Sequence, residues 1–223
     1  MRAFLYLGLG GVMALAIAAA SSSAGSASAE TFVNAPKPNV TAPAVGKTET
    51  AIFAGGCFWG VEGVFSHMKG VTSATSGYAG GKAGSADYET VSTGATGHAE
   101  AVRVVFDPTK VSYSDLLRVY FSVVADPTTL NAQGPDRGSQ YRTALFPQSA
   151  GQERVARAYL QQLKTARTFS RPIVTRLEHS TFYPAERYHQ DFMAKNPGHP
   201  YIVVNDAPKV DALRRMFPHF YRS

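Results

Sequence analysis

An α+β fold, a ferredoxin-like two-layer sandwich of helices over a mixed sheet, is predicted by three observations. Segments with strand and helix patterns follow one another as β-α-β-β-α-β from residue 50 onward, with further helix and strand behind them. Turn residues punctuate these segments, as at Gly80-Gly81 and Asp107-Pro108. The stretch from about 48 to 223 is long enough for one domain with a full core, and it contains neither an internal repeat nor a second linker.

Each element has its own signal. Thr50-Ala51-Ile52-Phe53-Ala54 reads as a short buried strand, and behind it Phe58, Val61, Phe65 and Met68 recur at helical spacing. Val71 to Gly80 alternates loosely and reads as a strand. Residues 82–97, rich in Gly, Ser, Ala and Thr, read as a long ordered loop. His98 to Phe106 alternates and stops at Asp107-Pro108. Ser112-Tyr113-Ser114-Asp115 resembles a capping box, with Leu116, Leu117, Tyr120, Phe121 and Val124 on the buried face of the helix it opens. A loop from Asp126 to Gln140 leads to a short strand at Tyr141 to Phe146. Ser149 caps a helix carrying Val155, Tyr159 and Leu163. Ile173 to Leu177 reads as a strand, Ala185 to Lys195 as a shorter helix, and the tail from Asn196 as irregular, with helix returning near Val210 to Met216.

The amino-terminal end has a different character. Arg2, the apolar run Phe4 to Ala20 and the small-residue site Ala27-Ser28-Ala29 match a secretory signal over residues 1–29. The alternative is an uncleaved membrane anchor, since the apolar run approaches spanning length. Residues 30–47 carry Pro36, Pro38 and Pro43 with little periodicity, which predicts a flexible linker before a catalytic domain over residues 48–223. An exported protein, periplasmic or secreted, is therefore expected. The net charge of +6 is spread along the chain rather than gathered in a stripe, which speaks against nucleic acid as a partner.

The chain has a single cysteine, Cys57, in Gly55-Gly56-Cys57-Phe58-Trp59-Gly60. One cysteine cannot form an internal disulfide, so it is either reactive or buried and idle. It falls at a strand-to-helix turn, where unpaired N–H groups and the helix dipole favour a thiolate, and the paired glycines leave the sulfur accessible. It reads first as a nucleophile. The six histidines are dispersed, and no metal site is expected.

These residues also carry a resemblance. The block around Cys57, Gly77-Tyr78-Ala79-Gly80-Gly81, Gly97-His98-Ala99-Glu100-Ala101-Val102, Gln133-Gly134-Pro135-Asp136, Gln140-Tyr141-Arg142 and Phe182-Tyr183-Pro184-Ala185-Glu186 resemble, in order, the signature of peptide methionine sulfoxide reductases of the A type, which act on the S epimer. The resemblance implies that Cys57 attacks the sulfoxide and becomes a sulfenic acid, and that Glu100 is the acid that protonates the oxygen. It also implies that Phe58 and Trp59 wall a pocket for the methyl group, while Tyr88, Asp136 and Tyr141 hydrogen-bond the sulfoxide oxygen, directly or through water. From the residues alone, Glu100 could equally sit on an exposed strand face or pair with Arg103, and Phe58 could be ordinary core. His98 is expected to be a structural hydrogen-bonding residue at the strand start rather than a base.

The chain departs from many relatives in having no cysteine after Cys57, so it is similar to the single-cysteine members. No bound cofactor is expected. The reductant must be an external thiol, a thioredoxin-like protein or a small thiol. The expected substrate is oxidised methionine, in proteins or free, with the enzyme acting as a monomer. Two further departures are Ala125, where relatives often have His, and Arg187, where an acidic residue is common. The rival readings are a cysteine hydrolase or acyltransferase, which would hold a histidine against Cys57, and an exported binding domain with an idle thiol.

Overall fold

The computed structural model describes residues 32–223. The secretory-signal segment, residues 1–29, lies outside these residues.

The first buried run becomes β1 (Glu49–Gly55), followed by α1 (Phe58–Ser66) and β2 (Val71–Ala79). A short α2 (Tyr88–Ser92) precedes β3 (Ala99–Phe106) and α3 (Tyr113–Val119), which continues as a π-helical turn over Tyr120–Val124. The Ser112–Asp115 capping box is present in full. A two-residue hairpin, β4 (Ala132–Gln133) and β5 (Asp136–Arg137), leads to β6 (Thr143–Phe146) and the long α4 (Ala150–Thr165). Short strands β7 (Arg176–Leu177) and β8 (Phe182–Pro184), then α5 (Phe192–Lys195) and α6 (Ala207–Met216), complete the described chain.

The main sheet runs β7-β6-β1-β3-β2-β8. Its centre, β6-β1-β3-β2, is antiparallel throughout and has the strand order of a βαββαβ unit, so the ferredoxin-like expectation holds. The parallel pair β6–β7 makes the sheet mixed. One face buries the main core, where Phe53 stacks on Phe65 with ring centroids 4.8 Å apart and on Tyr120 at 5.5 Å. The other face carries a thin layer of small side chains, Ala54, Ala79, Ala99, Ala101 and Ala144, with Ile52 and Phe146.

Several boundaries differ from the sequence reading. The loop expected over 82–97 contains α2, capped by the Asp87 carboxylate, which accepts from Thr90 N–H at 3.0 Å. The 126–140 loop contains the β4–β5 hairpin. The helix expected over 185–195 is a 3-10 turn, Arg187–His189, followed by α5.

Within the stretch 30–47 expected to be a flexible linker, residues 33–39 are tied to the folded domain. Ala35 is fully buried, and its N–H donates to Ser122 Oγ at 3.1 Å. The Arg118 guanidinium donates to Ala35 O at 2.9 Å, and the Tyr159 hydroxyl to Pro36 O at 2.7 Å. Gln162 closes the strap from both sides, accepting from Asn39 N–H and donating to Lys37 O. Proline spacing removed helical and strand periodicity, but side chains of α3, α4 and the π turn satisfy the extended backbone instead. Ala35→Asp would bury a carboxylate without a partner, and unfolding should become easier by several kcal/mol, roughly 3–5. Thermal melting of the variant checks this; an unchanged melting temperature would return the segment to solvent.

Candidate active site

Cys57 stands where β1 hands over to α1. Gly56 turns the chain with φ +88°, and a Cβ there would lie 2.6 Å from Gln133 Cβ, so both the backbone angle and the space demand glycine. Cys57 is the N-cap of α1, as the sequence implied, but its side chain makes no capping hydrogen bond. The residue is only 9% exposed, which corrects the expectation of an open sulfur.

The cap is supplied from the next strand. Glu100, on β3 opposite Tyr78 of β2, accepts from Phe58 N–H through Oε2 at 2.9 Å. The carboxyl is 3% exposed, and burial pushes its pKa up to about 8, against the pull of that hydrogen bond. It is therefore a neutral acid at neutral pH. Neither open alternative for Glu100 holds: it is buried, and Arg103 instead lies over the Phe182 ring, 5.2 Å from its centroid.

Burial also raises the Cys57 thiol well above its ordinary value, and the carboxyls of Glu100, Asp206 and Asp136 add to this, while the Trp59 main-chain N–H pulls the other way. Burial and the neighbouring carboxyls thus oppose the thiolate that the helix start favours.

The aromatic residues form one block. The Phe58 ring is buried against Tyr78, centroids 5.9 Å apart, and His189, 4.9 Å apart. Trp59 is half-buried and lies flat on Phe192, centroids 3.8 Å apart, with Tyr201 edge-on to it at 5.9 Å. Tyr88 opens α2 and packs on His189 at 4.5 Å, while its N–H donates to Glu186 Oε1 at 2.8 Å. Asp136, on β5, accepts a short hydrogen bond from the Tyr201 hydroxyl. Tyr141 ends the 3-10 turn Ser139–Tyr141. Burial raises the pKa of both Tyr88 and Tyr141, and the negative charge of Glu100 and Cys57 adds to it, so both hydroxyls stand within electrostatic reach of the two reacting groups. The structure thus brings all seven expected side chains to one place.

Arg142 ties the loops beneath them. Buried at 6% exposure, it donates to both oxygens of Glu178 at 2.9 and 2.8 Å, to Ser139 O at 3.0 Å and to Gly97 O at 3.0 Å. Tyr141 and the start of β3 are fixed together in this way. His98 is structural, as expected: Gly81 N–H donates to its Nδ1, and Nε2 lies 3.0 Å from Lys82 O, so Nε2 carries the proton.

Sequence reasoning missed Tyr201, His189 and the Asp206–Lys209 pair, with Oδ1 and Nζ 3.9 Å apart and both side chains buried. They come from the stretch read as irregular or as plain helix. The one available signal was a buried-type aromatic and a lysine-aspartate pair at helical spacing, which is common on surfaces. Among the described residues no hydrogen bond joins the Cys57 sulfur to a histidine: His189 Nδ1 accepts from the Trp59 indole and His98 is held by Gly81 and Lys82, so a Cys–His hydrolase pair is not formed there.

The model of the family described as peptide methionine sulfoxide reductase matches residues 49–220. A relative from Mesorhizobium japonicum named peptide methionine sulfoxide reductase MsrA 2 is 58% identical over 175 residues, covering 78% of this chain and 90% of its own length. A Deinococcus radiodurans relative named MsrA is 52% identical over 170 residues, covering 76% of this chain and 82% of its own. Among solved structures, methionine sulfoxide reductase A of Corynebacterium diphtheriae is 32% identical, with a TM-score of 0.57 over 74% of this chain and 89% of that one. Mxr1 from Saccharomyces cerevisiae in reduced form is 30% identical, with a TM-score of 0.63 over 72% of this chain and 92% of that one. With the matched model spanning most of its length and its thiol, carboxyl and aromatic block assembled on the expected sheet, the chain belongs to the peptide methionine sulfoxide reductase family.

Proposed function

We propose that Cys57 and Glu100 share the reduction of methionine S-sulfoxide, the family's reaction, as nucleophile and acid. The observation that carries this is the buried Glu100 carboxyl, its pKa pushed up by desolvation, bonded to the first turn of the helix that Cys57 caps. The Cys57 sulfur attacks the sulfoxide sulfur as Glu100 delivers a proton to the oxygen. Oxygen then passes to Cys57, giving methionine and a sulfenic acid, and the thiol proton restores Glu100. Phe58 and Trp59 seat the methyl group, and Tyr88, Asp136 and Tyr141 orient the oxygen. The methyl group and oxygen are all that this pocket reads, so neighbours of the oxidised methionine are tolerated and free methionine sulfoxide is also accepted.

With no second cysteine in the chain, an outside thiol attacks the sulfenic acid, releasing water and leaving a mixed disulfide. A second thiol then frees Cys57. A thioredoxin-like protein is the favoured donor, because glutathione is not assured outside the cytosol. Export is supported by Arg2, the apolar run to Ala20 and Ala27-Ser28-Ala29. Supplying the two sulfoxide epimers separately with a dithiol should give methionine from the S form and almost none from the R form. Comparable rates for both would contradict the pocket as assigned.

A further inference from the structure

His189 stands at the centre of the aromatic block, and the reaction as derived gives it no task. It is 2% exposed, on the turn Arg187–His189. The Trp59 indole N–H donates to its Nδ1 at 3.2 Å. An acceptor nitrogen carries no proton, so the ring is the neutral tautomer with hydrogen on Nε2. That nitrogen is buried and lacks a hydrogen-bond partner, with Glu186 Oε2 3.9 Å away. Four rings surround the imidazole: Phe58 and Trp59 of α1, Tyr88 of α2 and Tyr188 of its own turn, with centroids 4.2–5.8 Å away.

We propose that His189 is a positioning residue that fixes the rotation of Trp59 in the substrate pocket by accepting the indole N–H at Nδ1. The inference rests on the reading of Trp59 as a pocket wall. Stacking on Phe192 sets the plane of the indole but leaves its rotation within that plane open; a hydrogen bond in the ring plane closes that freedom. The device has a condition. Protonation of His189 would turn Nδ1 into a donor facing another donor, and the Trp59 bond would be lost. The structure guards against this. Burial lowers the His189 pKa, opposed by Glu186. Glu186 in turn is occupied by the Tyr78 hydroxyl at 2.8 Å and by Tyr88 N–H. The other titratable groups facing the ring, Tyr88 and Tyr188, are neutral across this range.

The single tryptophan makes the contact directly readable. Fluorescence of the full protein, titrated downward in pH without substrate, should show one quenching step centred below about 6.5, the ordinary histidine value. The step should vanish in His189→Asn and persist in His199→Asn, which alters the other imidazole near Trp59. For a sulfoxide peptide at neutral pH, His189→Phe should raise KM roughly tenfold while kcat stays within about twofold. His189→Asn, whose amide oxygen can stand near the Nδ1 position, should recover most of that loss. A step that survives in His189→Asn, or a KM raised equally in the Phe and Asn variants, overturns the proposal. A fluorescence step that behaves as described with KM unmoved removes Trp59 from the pocket instead, and leaves Cys57 and Glu100 untouched.

Discussion

Cys57→Ser is expected to reduce turnover to the uncatalysed background while leaving the protein at least as stable. The hydroxyl is far less acidic than the thiol and a poor nucleophile toward sulfur, and burial makes its ionisation still harder. The stability half of the result comes from position. Residue 57 is an N-cap whose present side chain makes no capping bond, and serine is among the best caps, worth up to about 1 kcal/mol over a residue that does not cap. Loss of activity with an unchanged or raised melting temperature therefore cannot be assigned to unfolding. Methionine release measured by chromatography, beside thermal melts, is the test. Measurable turnover by the serine variant would remove Cys57 from the chemistry.

Glu100→Gln should move two observables in opposite directions. The amide oxygen can still accept from Phe58 N–H, so the helix start is kept, but no proton can be given to the sulfoxide oxygen. Single-turnover oxidation of Cys57 by substrate should fall by about 10²–10⁴-fold. The thiol, meanwhile, should ionise at lower pH, because the Glu100 carboxylate is one of the groups holding its pKa up. Alkylation of the lone cysteine followed against pH reads this shift without interference. A nucleophile that ionises more easily and yet reduces its substrate more slowly isolates the acid role. If both rates fall together, or the single-turnover rate is unchanged, the proton comes from elsewhere. The linkage has a fixed sign. The folded-state pKa of about 8 lies above the ordinary 4.5, so holding the carboxyl in place weakens folding progressively as pH rises between these values. The Gln variant should accordingly melt higher than the parent near neutral pH, a gain in stability bought with activity.

The central sheet was legible because its strands alternate or run apolar and its helices carry caps: Phe53, Val102 and Leu145 are all fully buried, and the Ser112–Asp115 box is formed. The edges were legible only in part. Of the strand read over Ile173 to Leu177, only Arg176–Leu177 pairs, as β7; β8, three residues long, is too short for a period to register and exists because β2 offers unpaired backbone. Cys57 and Glu100 were readable from a motif and a strand register. The ionisation state of Cys57 was not, because the local signal, a helix N-terminus, is opposed by burial and by carboxyls from residues 100, 136 and 206. Tyr201 and His189 were hidden for the same reason: their partners, Asp136 and Trp59, lie 65 and 130 positions away.

The strap over residues 32–40 has a consequence for the order of assembly. Ala35 is held by a residue 87 positions later, and Asn39 by one 123 positions later. The first part of the described chain to emerge during synthesis therefore has nothing to bind until α3 and α4 have packed. Closing such long loops is slow and comes after local structure, so these contacts belong to the native side of the folding barrier. Weakening them should leave the refolding rate nearly unchanged and accelerate unfolding, making the strap a latch on the lifetime of the folded enzyme.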